Sequence, residues 1–240
     1  MKGRKSFMKK ILFVIIILMM FVISGKAFAE IDQQLILNDM QMQDKINSIG
    51  FKILNANKID KRMVFVYDEK NKESILKEPG LTSRQVVVYK DSINFADNEE
   101  EIAAFLAREI CKTAESYTGF WKGIVGSAQV KVAPKKYELL FDKRAVDFMV
   151  NAGYNPLALI TFINKSFVQK RYDMISNHNL TSKRLANIYE YIYFNYPYFL
   201  VNNEYINNEY YQNFLLTSIE NRKKLQQKIN TGSKERIKYE

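Results

Sequence analysis

The stretch "ADNEEEIAAFLAREICKTAES", residues 96–116, decides how the chain is read. Asp97 or Asn98 can cap a helix, because a short polar side chain just outside the first turn accepts a bond from an otherwise unpaired N–H. Glu100 or Glu101 then closes a capping box. Behind that start, Ile102, Leu106, Ile110 and Ala114 recur every four residues and lay one apolar stripe along a helix. The same segment carries Arg108, Glu109, Cys111 and Lys112.

Working outward, the pattern changes on both sides. Upstream, "KRMVFVYDEK" (61–70) and "SRQVVVYKDS" (83–92) are β-branched and aromatic runs parted by a Lys-, Glu-, Pro- and Gly-containing connection, which predicts two strands of a small sheet. Before them, residues 31–49 place Leu35, Met42, Ile46 and Ile49 at helical spacing, and Gly50 reads as the residue that stops that helix. Downstream, "YTGFWKGIVGSAQVKVAPKK" (117–136) reads as a loop. A second helix is predicted from about Tyr137 to Asn151, ending near Gly153. A third starts in "NPLALITFINKSF" (155–167), with Asn155 as cap and Pro156 in the first helical position. The Tyr- and Asn-rich part beyond residue 190 reads as amphipathic packing, with an aromatic binding surface as the rival reading.

Composition bounds the function. Residues 1–29 read as a signal peptide: Lys2, Arg4, Lys5, Lys9 and Lys10 precede an apolar run from Ile11 to Ile23, followed by Ala27-Phe28-Ala29. The expectation is export to the periplasm or cell envelope, with a retained membrane anchor as the alternative. Six of the formal +10 charges lie in that segment, so the remainder carries +4. A basic tail, 221–240, carries +5, which leaves 30–220 near neutral at −1 as one domain. The balance argues against nucleic acid as a partner. A basic tail is suited to touch a membrane surface or a cell-wall polymer, although its ordinary reading is a solvated, frayed end. Cys111 is the only cysteine, which excludes an intrachain disulfide and a thiolate zinc cluster.

A zinc peptidase of the H-E-x-x-H type needs two histidines one helical turn apart, so that both nitrogens reach one metal, with a glutamate beside the first as general base. "ADNEEEIAAFLAREI", "YELLFDKRAVDFMVNAGYNPLAL" and "HNLTSKRLANI" follow one another in the order and register of such proteins. On these motifs the chain, over about residues 60–190, resembles the gluzincin zinc metallopeptidases of family M forty-eight. These are the CAAX prenyl endopeptidases, the heat-shock protease HtpX and the periplasmic outer-membrane assembly proteases. The resemblance implies an α+β, mainly helical metallopeptidase domain with a small β-sheet beside the active-site helix. It also implies residue roles. The general base falls on Glu109, the third zinc ligand on Glu138 and the aspartate behind a ligand histidine on Asp142. The later His and Arg fall on His178 and Arg184, with Asn179 where the family has proline. The two ligand histidines fall on Arg108 and Lys112.

That departure sets the expectation. Arginine has no acceptor and stays protonated, and lysine would first have to lose a proton. No zinc cofactor is expected, and Glu109, His178 and Arg184 are then vestigial catalytic positions. The favoured function is a non-catalytic pseudopeptidase that binds a peptide or envelope protein client in quality control. An active metalloendopeptidase with a divergent, zinc-holding site is the alternative, and a scaffold recruiting a partner through its Tyr-rich part is a third reading. If the two cations replace the charge of a metal, Arg108 or Lys112 should pair with Glu138 or Glu109. The plainer readings are a solvated helix face for the two cations, a structural His178 and an Asp142 paired with Lys143 or Arg144.

Overall fold

A computed structural model describes residues 37–68, 85–116, 132–167, 169, 176 and 178–240. The proposed signal segment, Leu35 and most of the loop at 117–136 lie outside these residues. The chain divides into two compact units, 1–44 and 45–240. Of the first, residues 37–44 are described and helical.

The second unit is mainly helical, with one small two-stranded sheet among the described residues. It opens with helix α1, residues 45–56. Strands β1 (Val64–Asp68) and β2 (Gln85–Tyr89) follow. They pair in parallel, from Val64 opposite Gln85 to Asp68 opposite Tyr89. Parallel strands need a connection of about a dozen residues or more, which 69–84 can supply. Val86 and Val88 alternate inward, as a half-buried strand requires.

A single helical turn, α2 (Lys90–Ile93), leads to α3 (Glu99–Ser116). Asn98 caps α3, its Oδ1 accepting from the Glu101 N–H at 2.9 Å, and Glu101 Oε2 reaches back to accept from the Asp97 N–H at 2.8 Å. The capping box expected from the sequence is thus formed by Asn98 and Glu101. Ile102, Leu106 and Ile110 are buried, joined by Ala103, Ala107 and Cys111 on the adjacent face. Burying each Leu or Ile contributes about 1.5–3 kcal/mol.

Helix α4 spans Pro134–Asn151, α5 Leu157–Ser166 and α6 Thr181–Asn195. Pro134 occupies the first turn of α4, where its missing N–H and fixed φ are no handicap, so the helix begins three residues earlier than the loop reading of "APKK" allows. After α4 the chain turns at Gly153, whose φ of +76° lies in the left-handed region. Asn155 caps α5 as expected, its Oδ1 accepting from the Leu157 N–H at 3.0 Å. Leu157 to Ile163 are all buried, so α5 runs through the core. Helix α3 packs against α4, α5 and β2, which places the sheet beside it; α6 packs against both α4 and α5.

Two expectations fail here. Helix α1 does not stop at Gly50 but runs through it. A Cβ on Gly50 would lie 2.5–2.7 Å from the ring of Phe65, itself buried and edge-on to Phe51 at 5.6 Å, so the glycine serves close helix-to-strand approach. The segment 221–240 is not frayed either. After α7 (Tyr198–Val201) and α8 (Glu209–Thr217) it forms most of α9 (Ile219–Thr231), which packs on α6. Leu225 and Tyr239 are buried, and the Tyr239 hydroxyl donates to Glu190 Oε2 at 2.9 Å. Among the described residues no helix is long and apolar enough to cross a membrane.

Alanine at position 50 gains about 1 kcal/mol of helix propensity but overpacks the Phe65 ring, typically at about 1–3 kcal/mol. Gly50→Ala is therefore expected to lower stability in urea denaturation, and Phe65→Leu in the same chain to remove that sensitivity. A gain in stability from Gly50→Ala alone would contradict the packing assignment.

Candidate functional site

Three segments far apart in sequence meet at the face of α4 that carries Glu138 and Asp142. Spacing of four puts both carboxylates on one side of the helix, one turn apart, and both are buried. Helix α3 supplies Arg108, and α6 with the residues before it supplies His178, Asn179 and Arg184.

Asp142 is the centre. Its Oδ1 accepts from Arg108 Nε at 2.7 Å and from Arg184 Nη2 at 3.0 Å, and its Oδ2 accepts from Arg184 Nε at 2.9 Å. The Arg184 contact is bidentate, the geometry that a rigid guanidinium fork favours. Phe167, just past the end of α5, lies against both cations, with its ring centroid 4.6 Å from Arg184 Cζ and 5.7 Å from Arg108 Cζ. A ring face so placed attracts a guanidinium.

Glu138 is held from the other side. Its Oε2 accepts from the Asn179 backbone N–H at 2.8 Å and from Asn179 Nδ2 at 2.9 Å. Its Oε1 lies 3.0 Å from His178 Nδ1 and 3.4 Å from Arg184 Nη1. Two carboxylates and two guanidiniums therefore balance, with Arg184 bridging both acids. His178 completes the rim with its side chain 68% exposed.

Burial alone would raise the Asp142 carboxyl, but the Arg184 and Arg108 charges and hydrogen bonds outweigh it and hold the group below the usual carboxylate range. Burial likewise opposes the charge on Arg184, while Asp142 first and Glu138 second hold its guanidinium above its ordinary value. Burial pushes the Cys111 thiol far up, so it is no thiolate nucleophile.

The structure thus brings Arg108, Glu138, Asp142, His178 and Arg184 together; of the expected pairings, Lys112 does meet Glu109, while the partner of Arg108 is corrected. Arg108 takes Asp142 rather than Glu138, because the oxygens of Glu138 are already engaged by Asn179, His178 and Arg184. Lys112 lies 3.6 Å from Glu109 on its own helix, with its side chain 61% exposed, so this is a surface pair. Asp142 does not serve Lys143 or Arg144, since adjacent residues diverge around a helix.

Two contributors were not assigned from the sequence. Phe167 could have been suspected only from an aromatic residue closing the apolar helix α5. Asn179 was visible as a departure from proline, and its effect follows from chemistry: proline has no N–H to donate to Glu138.

No protein-family model, curated protein or solved structure matches the chain. The arrangement of these side chains is what bears on function.

Asp142→Asn keeps shape but removes the charge between two guanidiniums, and breaking a buried ion pair from one side typically costs about 3–5 kcal/mol. That loss is expected in chemical denaturation, against less than about 1 kcal/mol for Glu109→Gln. With its folded pKa depressed, Asp142 contributes stability that is complete above about pH 4 and is lost as pH falls through the folded value. Asp142→Asn should accordingly flatten the acid limb of the stability profile.

Proposed function

We propose that the chain is a non-catalytic pseudopeptidase: a gluzincin-type metallopeptidase scaffold whose centre is closed by ion pairs, exported to the cell envelope to bind a peptide or protein client. One observation carries this reading. The positions that the family resemblance assigns to the first zinc-binding histidine and to the aspartate behind it are 2.7 Å apart as Arg108 Nε and Asp142 Oδ1. A contact between residues 34 positions apart in sequence, with a cation where the resemblance puts a ligand histidine, supports the reading.

The residues do not fit a zinc ion. Zinc is bound by lone pairs of His, Cys, Asp or Glu, and a guanidinium offers none. Glu138 accepts from Asn179 on one oxygen and faces His178 and Arg184 with the other. Glu109 is paired with Lys112. Among the described residues no three His, Cys, Asp or Glu side chains are grouped to hold a metal. Two of the three departures from the family pattern act the same way: Arg108 gives Asp142 a positive partner, and Asn179 gives Glu138 two N–H donors. A general base contributes only beside a polarised water, so Glu109 has no such role in this reading.

Client binding is assigned to the sheet. An extended segment that adds a strand to a sheet gains main-chain hydrogen bonds, and the sheet beside α3 is the element among the described residues that could receive one.

Purified protein is expected to contain no stoichiometric zinc by elemental analysis, to leave casein uncut, and to hold its client equally well as Glu109→Gln. Arg108→His combined with Lys112→His should restore a three-ligand set with Glu138 and bring about one zinc per chain. Zinc in the unsubstituted protein, with proteolysis abolished by Glu109→Gln, would establish the active metalloendopeptidase instead. A folded double variant that ignores zinc would remove the gluzincin scaffold.

A further inference from the structure

We infer that the face formed by the end of α6, helix α9 and the segment 233–240 docks on an anionic lipid surface. The inference is independent of the peptidase reading, since none of its residues belongs to the Asp142 site.

The segment 233–240 is ordered against α9. After a left-handed turn at Gly232, with φ of +62°, the chain runs back along the helix it has just left. Asn221 and Glu240 exchange two hydrogen bonds, Nδ2 to O at 2.9 Å and N–H to Oδ1 at 3.2 Å, and Lys224 Nζ lies 2.7 Å from Glu240 Oε1. The returning stretch has an alternating pattern: Tyr239 is buried and Ile237 half-buried, while Lys234, Arg236 and Lys238 are exposed. Alternate residues of an extended chain project to one side, roughly 6–7 Å apart. Arg236 and Lys238 thus stand on the side opposite Tyr239, and Lys234 joins them beyond a bend at Glu235, so the outward row holds three cations and one exposed carboxylate.

These cations are not spent within the fold. Lys223, Lys224 and Lys228 are ion-paired with Glu220, Glu240 and Glu190. Among the described residues no ion pair holds Lys234, Arg236 or Lys238. Segment 219–240 has seven basic residues against three acidic ones; Arg222 is hydrogen-bonded within the fold, and the row's three cations against Glu235 carry a net +2.

Exposed apolar surface adjoins the segment through shared partners: Lys228 and Tyr239 both bind Glu190, and Lys228 Nζ lies 5.7 Å from the ring centroid of Phe194, which is 53% exposed at the end of α6. Past the break after Asn195, Tyr198 and Val201 on α7 are exposed too. The ring of Tyr193 meets that of Phe194 at 5.3 Å and lines a cavity of about 270 Å³ between α6 and α9, with Ile219 and Ile229 on its walls and Arg222 and Lys223 beside them.

Positive charge alone would suit any polyanion. Positive charge beside exposed aromatic and aliphatic side chains selects a bilayer interface, where basic residues meet anionic headgroups and apolar ones enter the acyl boundary. A soluble polyanion such as polyphosphate gives Phe194 nothing to bury against, and a base stacked on Phe194 leaves Ile219 and Ile229 uncovered.

Vesicle sedimentation tests this on the full chain, with phosphatidylglycerol mixed into phosphatidylcholine compared with phosphatidylcholine alone. Residues 11–23 contribute equally to every variant, so differences between variants report the face. Binding is expected to depend on the anionic lipid and to weaken with salt. Each cation near an anionic surface is worth about fivefold in affinity, so Lys234→Glu, Arg236→Glu and Lys238→Glu together should lower binding about a hundredfold or more. Their exposure should leave the melting temperature unchanged. If charge reversal disturbs folding, Lys234→Gln, Arg236→Gln and Lys238→Gln must still lower binding. Phe194→Trp should add emission that shifts to the blue only with anionic vesicles. Equal binding to both vesicle types, unchanged in the charge variants, would overturn the assignment. So would binding to inorganic polyphosphate as tight as to vesicles, with no blue shift at position 194.

Discussion

Everything around the candidate site depends on one buried carboxylate. Asp142 is removed from water, a state tolerable for a charged group only when it is paired and hydrogen-bonded. Arg184 and Arg108 neutralise it through three hydrogen bonds, with Arg184 also reaching Glu138, and they come from α6 and α3, the two helices that flank α4. The pairing therefore fixes how three helices meet, and Phe167 closes it at the end of a fourth. A buried ion pair of this kind adds little net stability over a well-packed apolar core, while losing one member is severe. What it secures is a unique arrangement of the helices, with one register in which all charges are matched.

A second buried charge does the same at the other end of α3. Glu101 is fully buried, accepts from Thr161 Oγ1 at 2.6 Å and lies 2.7 Å from Lys165 Nζ, while it also closes the helix cap. Helix α3 is thus anchored to α5 near its start and, seven residues further on at Arg108, to the Asp142 site that α4 and α6 share. The tyrosines that crowd the later part of the chain serve comparable ends. Tyr191 and Tyr196 both donate to Asp147, and Tyr205 donates to Glu100 at 2.6 Å. Packing thus accounts for much of the Tyr-rich composition, and Tyr198 remains on the surface.

Local signals were legible in the sequence because their causes are local. The Asn98 cap, the Asn155-Pro156 start and the two β-branched runs each involve residues within a few positions of one another, and each appears where expected. Gly50 misled for the opposite reason: its role is set by Phe65, a partner on another element, and a glycine that admits a ring looks in sequence like one that ends a helix. The basic segment misled likewise, since Tyr239 and Glu190 meet only after the chain has turned back on itself. At the site, the resemblance pointed to seven positions, of which Arg108, Glu138, Asp142, His178 and Arg184 converge, while Glu109 and Lys112 pair with each other along α3. Which carboxylate each cation takes depends on reach and on who already occupies the oxygens, and that is not written in spacing.

The central claim is that Arg108 stands in the centre as a required counter-charge to Asp142. A double-mutant cycle measures this directly, with Arg108→Met, Asp142→Asn and the combination compared by equilibrium denaturation at neutral pH. A true counter-charge relationship should give a coupling of the order of 1–3 kcal/mol, because removing Arg108 relieves part of the repulsion that Asp142→Asn creates. Losses that add to within about 0.5 kcal/mol would mean the two groups act independently, and the replacement of a metal ligand by a charge partner would have to be abandoned.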